Sequence, residues 1–244
     1  MRKTTLFLLA AASITGTLAI WLPGTTTATS STHAAYEPRL NPSDFSTKIN
    51  NRYFPLPVGR IWIYKGIKDG EPQIDRVTVT PMTKRVAEGI TARVVTDVST
   101  TSRGKLLEKT TDLYAQDKQG DVWYLGEQTA AYLPGGRIDR SGSWQAGVKD
   151  AEPGIVMLAN PQIPDAYRQE YRKGDAEDTA WIVNRGTSAS VPYKTLHNVL
   201  TTLEFARIEP KVVDQKVYAP GVGIVLETAI NGPPEVAKLV KVIK

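Results

Sequence analysis

Three blocks of polar and aromatic residues contain the side chains that could bind a ligand or carry out a reaction. Tryptophan and tyrosine rings offer flat apolar area, while amides and carboxylates orient a ligand through hydrogen bonds. If the blocks line one concave sheet surface, they form a binding site. The residues predicted to bind the ligand are Asp112, Tyr114, Gln116, Trp123, Glu127, Trp144, Tyr167, Gln169 and Tyr171.

The two-residue period of a β-strand orients the first block. It predicts that Asp112, Tyr114 and Gln116 share one face of a strand. After a turn, the next strand places Trp123 and Tyr124 on opposite faces. One hairpin therefore presents both polar and aromatic side chains.

The third block is predicted to be a single strand that runs from Tyr167 to Tyr171. Its period places Tyr167, Gln169 and Tyr171 on one face, and Arg168 and Glu170 on the other. We expect the first of these faces to contribute to the binding surface.

Three other interpretations fit the same residues. The aromatic rings could form the core while charged side chains pair across strands on the wet face, which contributes roughly 0.2–1 kcal/mol per pair. A structural or interaction domain without a pocket would instead show an exposed apolar patch. A hydrolase of envelope polysaccharide would use two carboxyl groups as acid and base. The catalytic candidates for that reaction are Glu170, Glu177 and Asp178.

The composition argues against several other kinds of catalytic and cofactor-binding site. The chain has no cysteine and two histidines, His33 and His197, so it lacks the usual zinc ligands and any thiolate nucleophile. No Gly-x-Ser-x-Gly motif accompanies His197, and Gly221-Val222-Gly223 lacks the third glycine of a dinucleotide fingerprint. We therefore predict no metal and no cofactor, and binding is favoured over catalysis.

Residues 1–34 have the order of a secretory signal peptide. Arg2 and Lys3 precede an apolar stretch that ends at Pro23 and Gly24, and small residues follow it. We expect a signal helix and cleavage between about residues 28 and 35, where a cut after Ala34 has suitable small residues around it. The alternative, a retained N-terminal membrane anchor, is disfavoured because the apolar stretch is short of the roughly 20 residues that a span needs, so no stable membrane span is expected in the processed protein. Because no cysteine follows the apolar stretch, no lipid anchor is expected.

The net charge is modest. It is +5 for the full chain with histidine neutral, and about +3 after the leader takes away Arg2 and Lys3. The remaining basic residues are scattered rather than clustered, so nucleic-acid binding is not expected.

The rest of the chain predicts a mostly β protein. Residues 35–57 contain four prolines and are expected to form an extended lead-in. From residue 58 to 244, short alternating segments recur at intervals of roughly 10 to 14 residues, with turn signals between them. We predict a single domain of curved antiparallel sheet, a barrel or half-barrel.

The same blocks resemble a family of secreted bacterial proteins to which no activity is assigned. The matching segments are AQDKQGDVWYLGE at 115–127, GSWQAGV at 142–148, PGIVM at 153–157, YRQEY at 167–171, AED at 176–178 and YAPGVGIVLE at 218–227. The last segment also looks like the closing hairpin of TapB-like proteins, which resemble the curved sheets of periplasmic lipoprotein carriers. That resemblance implies a concave apolar face and a lipid or other apolar ligand.

The sequence thus predicts an exported, noncatalytic binding module for a small or apolar ligand or a cell-envelope component. Its location would be secreted or periplasmic, in the cell-envelope space. The shortage of catalytic side chains and the aromatic-rich strands carry this expectation.

Overall fold

A computed structural model describes residues 36–68, 70–86 and 89–244. The expected signal helix and its cleavage site lie outside the described residues. No helix in the described part of the chain is long and apolar enough to cross a membrane.

Sixteen strands and two short 3-10 turns make up the regular structure of these residues. The turns are Pro42–Asp44 and Pro134–Gly136. The strands are Phe45–Ser46 (β1), Ile61–Lys68 (β2), Glu71–Arg85 (β3), Thr91–Thr101 (β4), Leu106–Asp117 (β5), Val122–Tyr132 (β6), Ile138–Asp139 (β7), Trp144–Gln145 (β8), Glu152–Met157 (β9), Ala166–Arg168 (β10), Glu170–Tyr171 (β11), Asp178–Val191 (β12), Lys194–Ala206 (β13), Val213–Ala219 (β14), Gly223–Asn231 (β15) and Glu235–Ile243 (β16).

Thirteen of these strands follow one another in an antiparallel sheet that is nearly closed. The order is β10-β12-β13-β14-β15-β16-β2-β3-β4-β5-β6-β9-β11, while β1, β7 and β8 pair beside it. This confirms the prediction of a mostly β chain with a barrel-like antiparallel sheet. Near closure leaves little exposed sheet edge on which other chains could pair.

The sheet closes through one short piece of chain. Ala166–Arg168 pairs with β12 and Glu170–Tyr171 pairs with β9, so the two ends of the sheet meet at Gln169. The prediction of a single strand with alternating faces is therefore wrong here. Because the chain changes partner at Gln169, the alternation breaks, and the Arg168 guanidinium lies 4.5 Å from the centre of the Tyr171 ring.

One part of the interior is aromatic. Tyr64, Tyr114, Tyr124 and Tyr218 are among its largest fully buried side chains, together with Phe54 from the lead-in. The Tyr114 and Tyr124 rings stack with centroids 4.9 Å apart, and Phe54 meets the Tyr114 ring edge-on at 5.3 Å. Ring pairs of this geometry add specific attraction to the area that they bury.

Most of the remaining interior is aliphatic, and a set of buried acids lies among these apolar side chains. Buried carboxyl groups outnumber buried bases by eleven to three across the described residues. In the strand pairing, Asp112 stands opposite Glu127 and Glu204 opposite Asp214. The polar face of β5 therefore points inward, so buried acids along this strand interrupt the expected concave apolar face.

The outer face of β4, β5 and β6 carries a second, smaller core. It contains Leu113 and Leu125, and the lead-in residues Leu40 and Phe45 pack against it. The Phe45 ring also meets Trp123 edge-on, with centroids 6.1 Å apart. The lead-in thus covers apolar surface that β5 and β6 would otherwise expose.

Candidate functional site

A bulge in β6 creates the site with the best geometry for a ligand. The β5–β6 register shifts between Leu113 and Tyr114, where Leu125 is the extra residue. The bulge includes Gly126, whose φ is +151°. This brings β8 against β6, so that Gly126 pairs with Gln145 and Glu127 pairs with Trp144.

Gly126 is needed for this close approach. A Cβ at this position would lie 3.0 Å from Gln145 Cα and 3.0 Å from the Trp144 carbonyl oxygen. Because both atoms belong to backbone, neither can move aside cheaply. Any residue other than glycine would also adopt this φ only at a cost in backbone strain.

We expect Gly126→Ala to lower the free energy of unfolding by about 1–3 kcal/mol more than the same substitution at a turn glycine does. Urea unfolding measures the difference. Gly104→Ala is the matched control, since Gly104 has a φ of +81° and open space where its Cβ would lie. Equal losses in the two variants would contradict the packing argument.

The cleft beside this bulge has a volume of about 270 Å³. Glu127 and Trp144, two of the predicted binding residues, lie in its wall. The other walls come from the loop after β8 and from the segment after β11. The lining residues are Glu127, Gln128, Ser143, Trp144, Gln145, Val148, Lys149 and Arg172.

A buried hydrogen-bond network supports the floor of the cleft. The Tyr124 hydroxyl lies 2.7 Å from Asp112 Oδ1 and 3.3 Å from Glu127 Oε2, and its ring meets Trp144 edge-on at 5.2 Å. Burial raises the pKa of Asp112 to about 7, although the Tyr124 hydrogen bond opposes the shift and Glu108 adds to it. Asp112 and Tyr114 are fully buried, so they hold the floor and do not reach the opening.

Glu170 belongs to the same buried region. Burial raises the pKa of Glu170 well above its usual range, and Asp178 and Glu127 raise it further, while Trp144 and Lys216 lower it. The side chain is fully enclosed. Glu170 therefore interacts with Glu127 and Trp144, two of the predicted binding residues, but it is not among the residues that line the cleft.

The rim of the cleft is a strained turn. Lys149 and Asp150 have φ values of +54° and +58°, and they are two of the three non-glycine residues with positive φ in the described chain. Such residues each cost about 1–3 kcal/mol and cluster at functional sites. The turn is held by hydrogen bonds from the Gly147 N–H to Ala151 O (2.7 Å) and from the Val148 N–H to Gln145 O (3.1 Å).

Two predicted residues on β5 and β6 fasten the lead-in and lie away from the cleft. Gln116 Oε1 accepts hydrogen bonds from the backbone N–H groups of Asn50 and Asn51, at 2.7 and 3.1 Å. Trp123 donates its indole N–H to Asp117 Oδ2 at 2.9 Å. Gln116 therefore holds the lead-in and Trp123 holds the β5–β6 turn, so both residues have a structural role.

The three predicted residues of the closing segment are also separate from the cleft lining. Tyr167 packs against the main core, and Tyr171 meets Tyr36 edge-on with centroids 5.9 Å apart. Gln169 is fully buried, and its two amide atoms have no hydrogen-bond partner among the described residues. Its backbone N–H donates to Asp178 O at 2.8 Å.

The remaining two candidates for a hydrolase occupy different surroundings. Glu177 accepts two hydrogen bonds from Arg207, at 2.7 and 2.8 Å. Burial opposes ionisation of Glu177, but Arg207 and the Gly174 N–H lower its pKa below the usual value. Asp178 lines a separate hollow with space for about one water, and burial raises its pKa well above the usual range. None of the three candidates lines the 270 Å³ cleft.

Sequence reasoning missed the two basic residues of the cleft. Arg172 directly follows the third block, and Lys149 lies two residues after the second block, residues 142–147. The signal in each block was aromatic. Only the turn at 147–151 and the isolated bridge between Arg172 and Ala176 bring them to one opening. No local pattern in the sequence predicts that Lys149 and Arg172 lie at the same opening.

A larger groove, about 420 Å³, lies along β12 to β15. Its lining is uncharged and contains none of the predicted residues. No group of three or more acidic, histidine or cysteine side chains in the described ranges is arranged to hold a metal ion. The 270 Å³ cleft is therefore the candidate functional site.

Two solved structures are partly similar to this one. The first is a Bacteroides fragilis NCTC 9343 protein thought to be exported, with a YmcC-like fold. It aligns with a TM-score of 0.47 and 15% identity over 80% of this chain and 100% of that one. The second, thought to be a lipoprotein, comes from Parabacteroides distasonis ATCC 8503. Its TM-score is 0.41 and its identity 14%, over 79% and 99% of the two chains.

No protein-family model matches the chain, and no curated protein matches it significantly. The resemblance to TapB-like proteins stays a prediction. Likeness at these TM-scores carries no argument about function, so the function must be argued from the cleft itself.

Proposed function

We propose that this protein is an exported, noncatalytic binding module and that its site is the cleft beside the β6 bulge. The ligand is a small polar molecule or a component of the cell envelope. The observation that carries the proposal is the joining of Glu127 and Trp144 with a strained rim around one opening of about 270 Å³. A cleft of this size suits a small ligand.

A polar ligand fits better than the apolar one expected from the sequence. The apolar and aromatic side chains of the interior are already packed against one another, and acids and tyrosine hydroxyls are buried among them. Trp144 is 5% exposed and lines the cleft together with amide and charged side chains. An oily chain would leave those polar groups without partners, at a cost for each.

Export is part of the same proposal. The leader at residues 1–34 supports it, because its order is the one that a secretory signal requires. Intact-mass measurement on protein recovered outside the cytoplasmic membrane should give a chain that begins near residue 35. Full-length protein found in the cytoplasm would contradict export.

Native mass spectrometry of protein purified from its own host tests the binding role. We expect a bound small molecule that leaves on collisional activation, since the cleft is open to solvent. Protein unfolded, washed and refolded is the control and should lack the added mass. A ligand-free spectrum at every gentle condition would contradict the proposal.

A further inference from the structure

The charged groups that a ligand would meet in the cleft are cationic. Lys149 is exposed and Arg172 is half-buried, and both line the opening. Glu127 is the one carboxylate among the lining residues of this described cleft, but it is 1% exposed. Its Oε2 lies 3.3 Å from the Tyr124 hydroxyl, within the buried network under the cleft.

The neutral polar groups of the cleft can also donate. The side-chain amides of Gln128 and Gln145 line the same walls, and each amide carries two N–H donors. The Ser143 hydroxyl is committed to Thr129, because it lies 3.0 Å from the Thr129 N–H and 3.3 Å from its carbonyl oxygen. The donors available to a ligand therefore come mainly from the two amides and the two cations.

Arg172 has one competing partner. Its guanidinium lies 3.2 Å from Asp175 Oδ2, and the Asp175 side chain is 48% exposed. An ion pair this open to solvent contributes little. An anion in the cleft can therefore share the Arg172 guanidinium with Asp175 or displace the Asp175 carboxylate from it. Because Asp175 is already open to solvent, its displacement leaves no buried charge without a partner.

We propose that the cleft recognises an anionic group of its ligand, a carboxylate or a phosphate, through Lys149 and Arg172. This rests on the proposed function and names the ligand class for the same site. Guanidinium and ammonium groups form their shortest and strongest hydrogen bonds with these anions, and Arg can bind them in a bidentate way. The amides of Gln128 and Gln145 complete the set of donors.

Three probes test the inference by NMR: inorganic phosphate, acetate and neutral glycerol. The reporters are the Trp144 indole N–H and the backbone N–H groups of Gly147 to Lys149, on the full mature protein. We expect saturable shifts with phosphate or acetate at these positions and none with glycerol. Comparing phosphate with acetate shows which anion the cleft prefers.

Two variants remove one cation each. Lys149→Gly keeps the left-handed backbone, since glycine adopts positive φ freely, and Arg172→Gln keeps part of the side-chain volume. Each should weaken anion binding about tenfold, as the loss of one charge-assisted hydrogen bond predicts. Lys173→Gln is the matched control, because Lys173 is exposed and outside the cleft lining. The affinity of Lys173→Gln for phosphate and acetate should equal that of the wild type.

The outcomes separate this inference from the proposed function. Glycerol binding at the same reporters, with the two variants unaffected, would overturn the anionic ligand but keep the cleft as a site. The absence of any saturable shift with phosphate and acetate would overturn the inference. A host-derived ligand in native mass spectra would still support the binding role in that case.

Discussion

The free energy of unfolding should fall by about 4 kcal/mol as the pH rises from about 4 to about 8, from Asp112 alone. Burial raises the pKa of this carboxyl from 3.8 to about 7 in the folded protein. The folded state therefore binds its proton more tightly than the unfolded state does. This contribution is complete below about pH 4 and is lost as the pH rises through about 7.

Other buried acids act in the same direction. Burial raises the pKa of Asp75 to about 6 and raises that of Glu170, Asp178 and Glu227 well above their usual ranges. Glu177 opposes them, because Arg207 and the Gly174 N–H lower its pKa although burial raises it. The sum favours the folded state in acid, the reverse of a protein whose carboxylates are held by surface ion pairs.

Urea unfolding at several pH values measures this effect, and Asp112→Asn identifies its source. The asparagine carbonyl can still accept the hydrogen bond that Tyr124 donates at 2.7 Å. The variant should lose most of the pH dependence assigned to Asp112 and be more stable than the wild type at about pH 8. Glu71→Gln, at an exposed position, should leave the pH profile unchanged. Wild-type stability that is flat or rises with pH would contradict the account.

Lys216→Met should lower the free energy of unfolding by about 3–5 kcal/mol near neutral pH. Lys216 Nζ lies 2.7 Å from Glu204 Oε2, and the two side chains are 2% and 7% exposed. Burial by itself would lower the pKa of Lys216, but Glu204 and Glu227 raise it above its usual value. Lys216 is therefore the positive charge that offsets the cost of burying Glu204 and Glu227.

Methionine fills similar space but leaves the acids without that cation. Glu204 Oε1 still accepts from the Thr202 and Tyr218 hydroxyls, each at 2.9 Å, so part of the network survives. Lys238→Met is the matched control on an exposed site of β16 and should change stability by less than about 0.5 kcal/mol. Similar losses in the two variants would show that Lys216 carries no special electrostatic role.

The period of the strands predicted much of this fold. The alternation at Asp112 and Tyr114 correctly placed both on one face, and the turn signals indicated an antiparallel barrel-like sheet. Alternation alone does not say which face turns inward. Polar residues are usually taken as outward, whereas here Asp112 stands opposite Glu127 inside the barrel.

The site was predicted only in part, because it depends on irregular backbone. Glu127 and Trp144 meet through the bulge at Gly126, and Lys149 reaches the rim through a turn of positive φ. Arg172 arrives only because the chain changes strand partner at Gln169. Irregularities of this kind arise from tertiary pairing, so a local pattern in the sequence does not reveal them.

Ligand occupancy in a cleft-filling variant tests the binding role most directly. Val148 lines the cleft and is 47% exposed, so Val148→Trp should fill the opening without disturbing the core. Val58→Trp is the matched control at a position that is 53% exposed and outside the cleft lining. Native mass spectrometry of the two variants purified from the host should show the ligand on Val58→Trp and at least about tenfold less on Val148→Trp. Equal occupancy in the two variants would contradict the assignment of the site to this cleft.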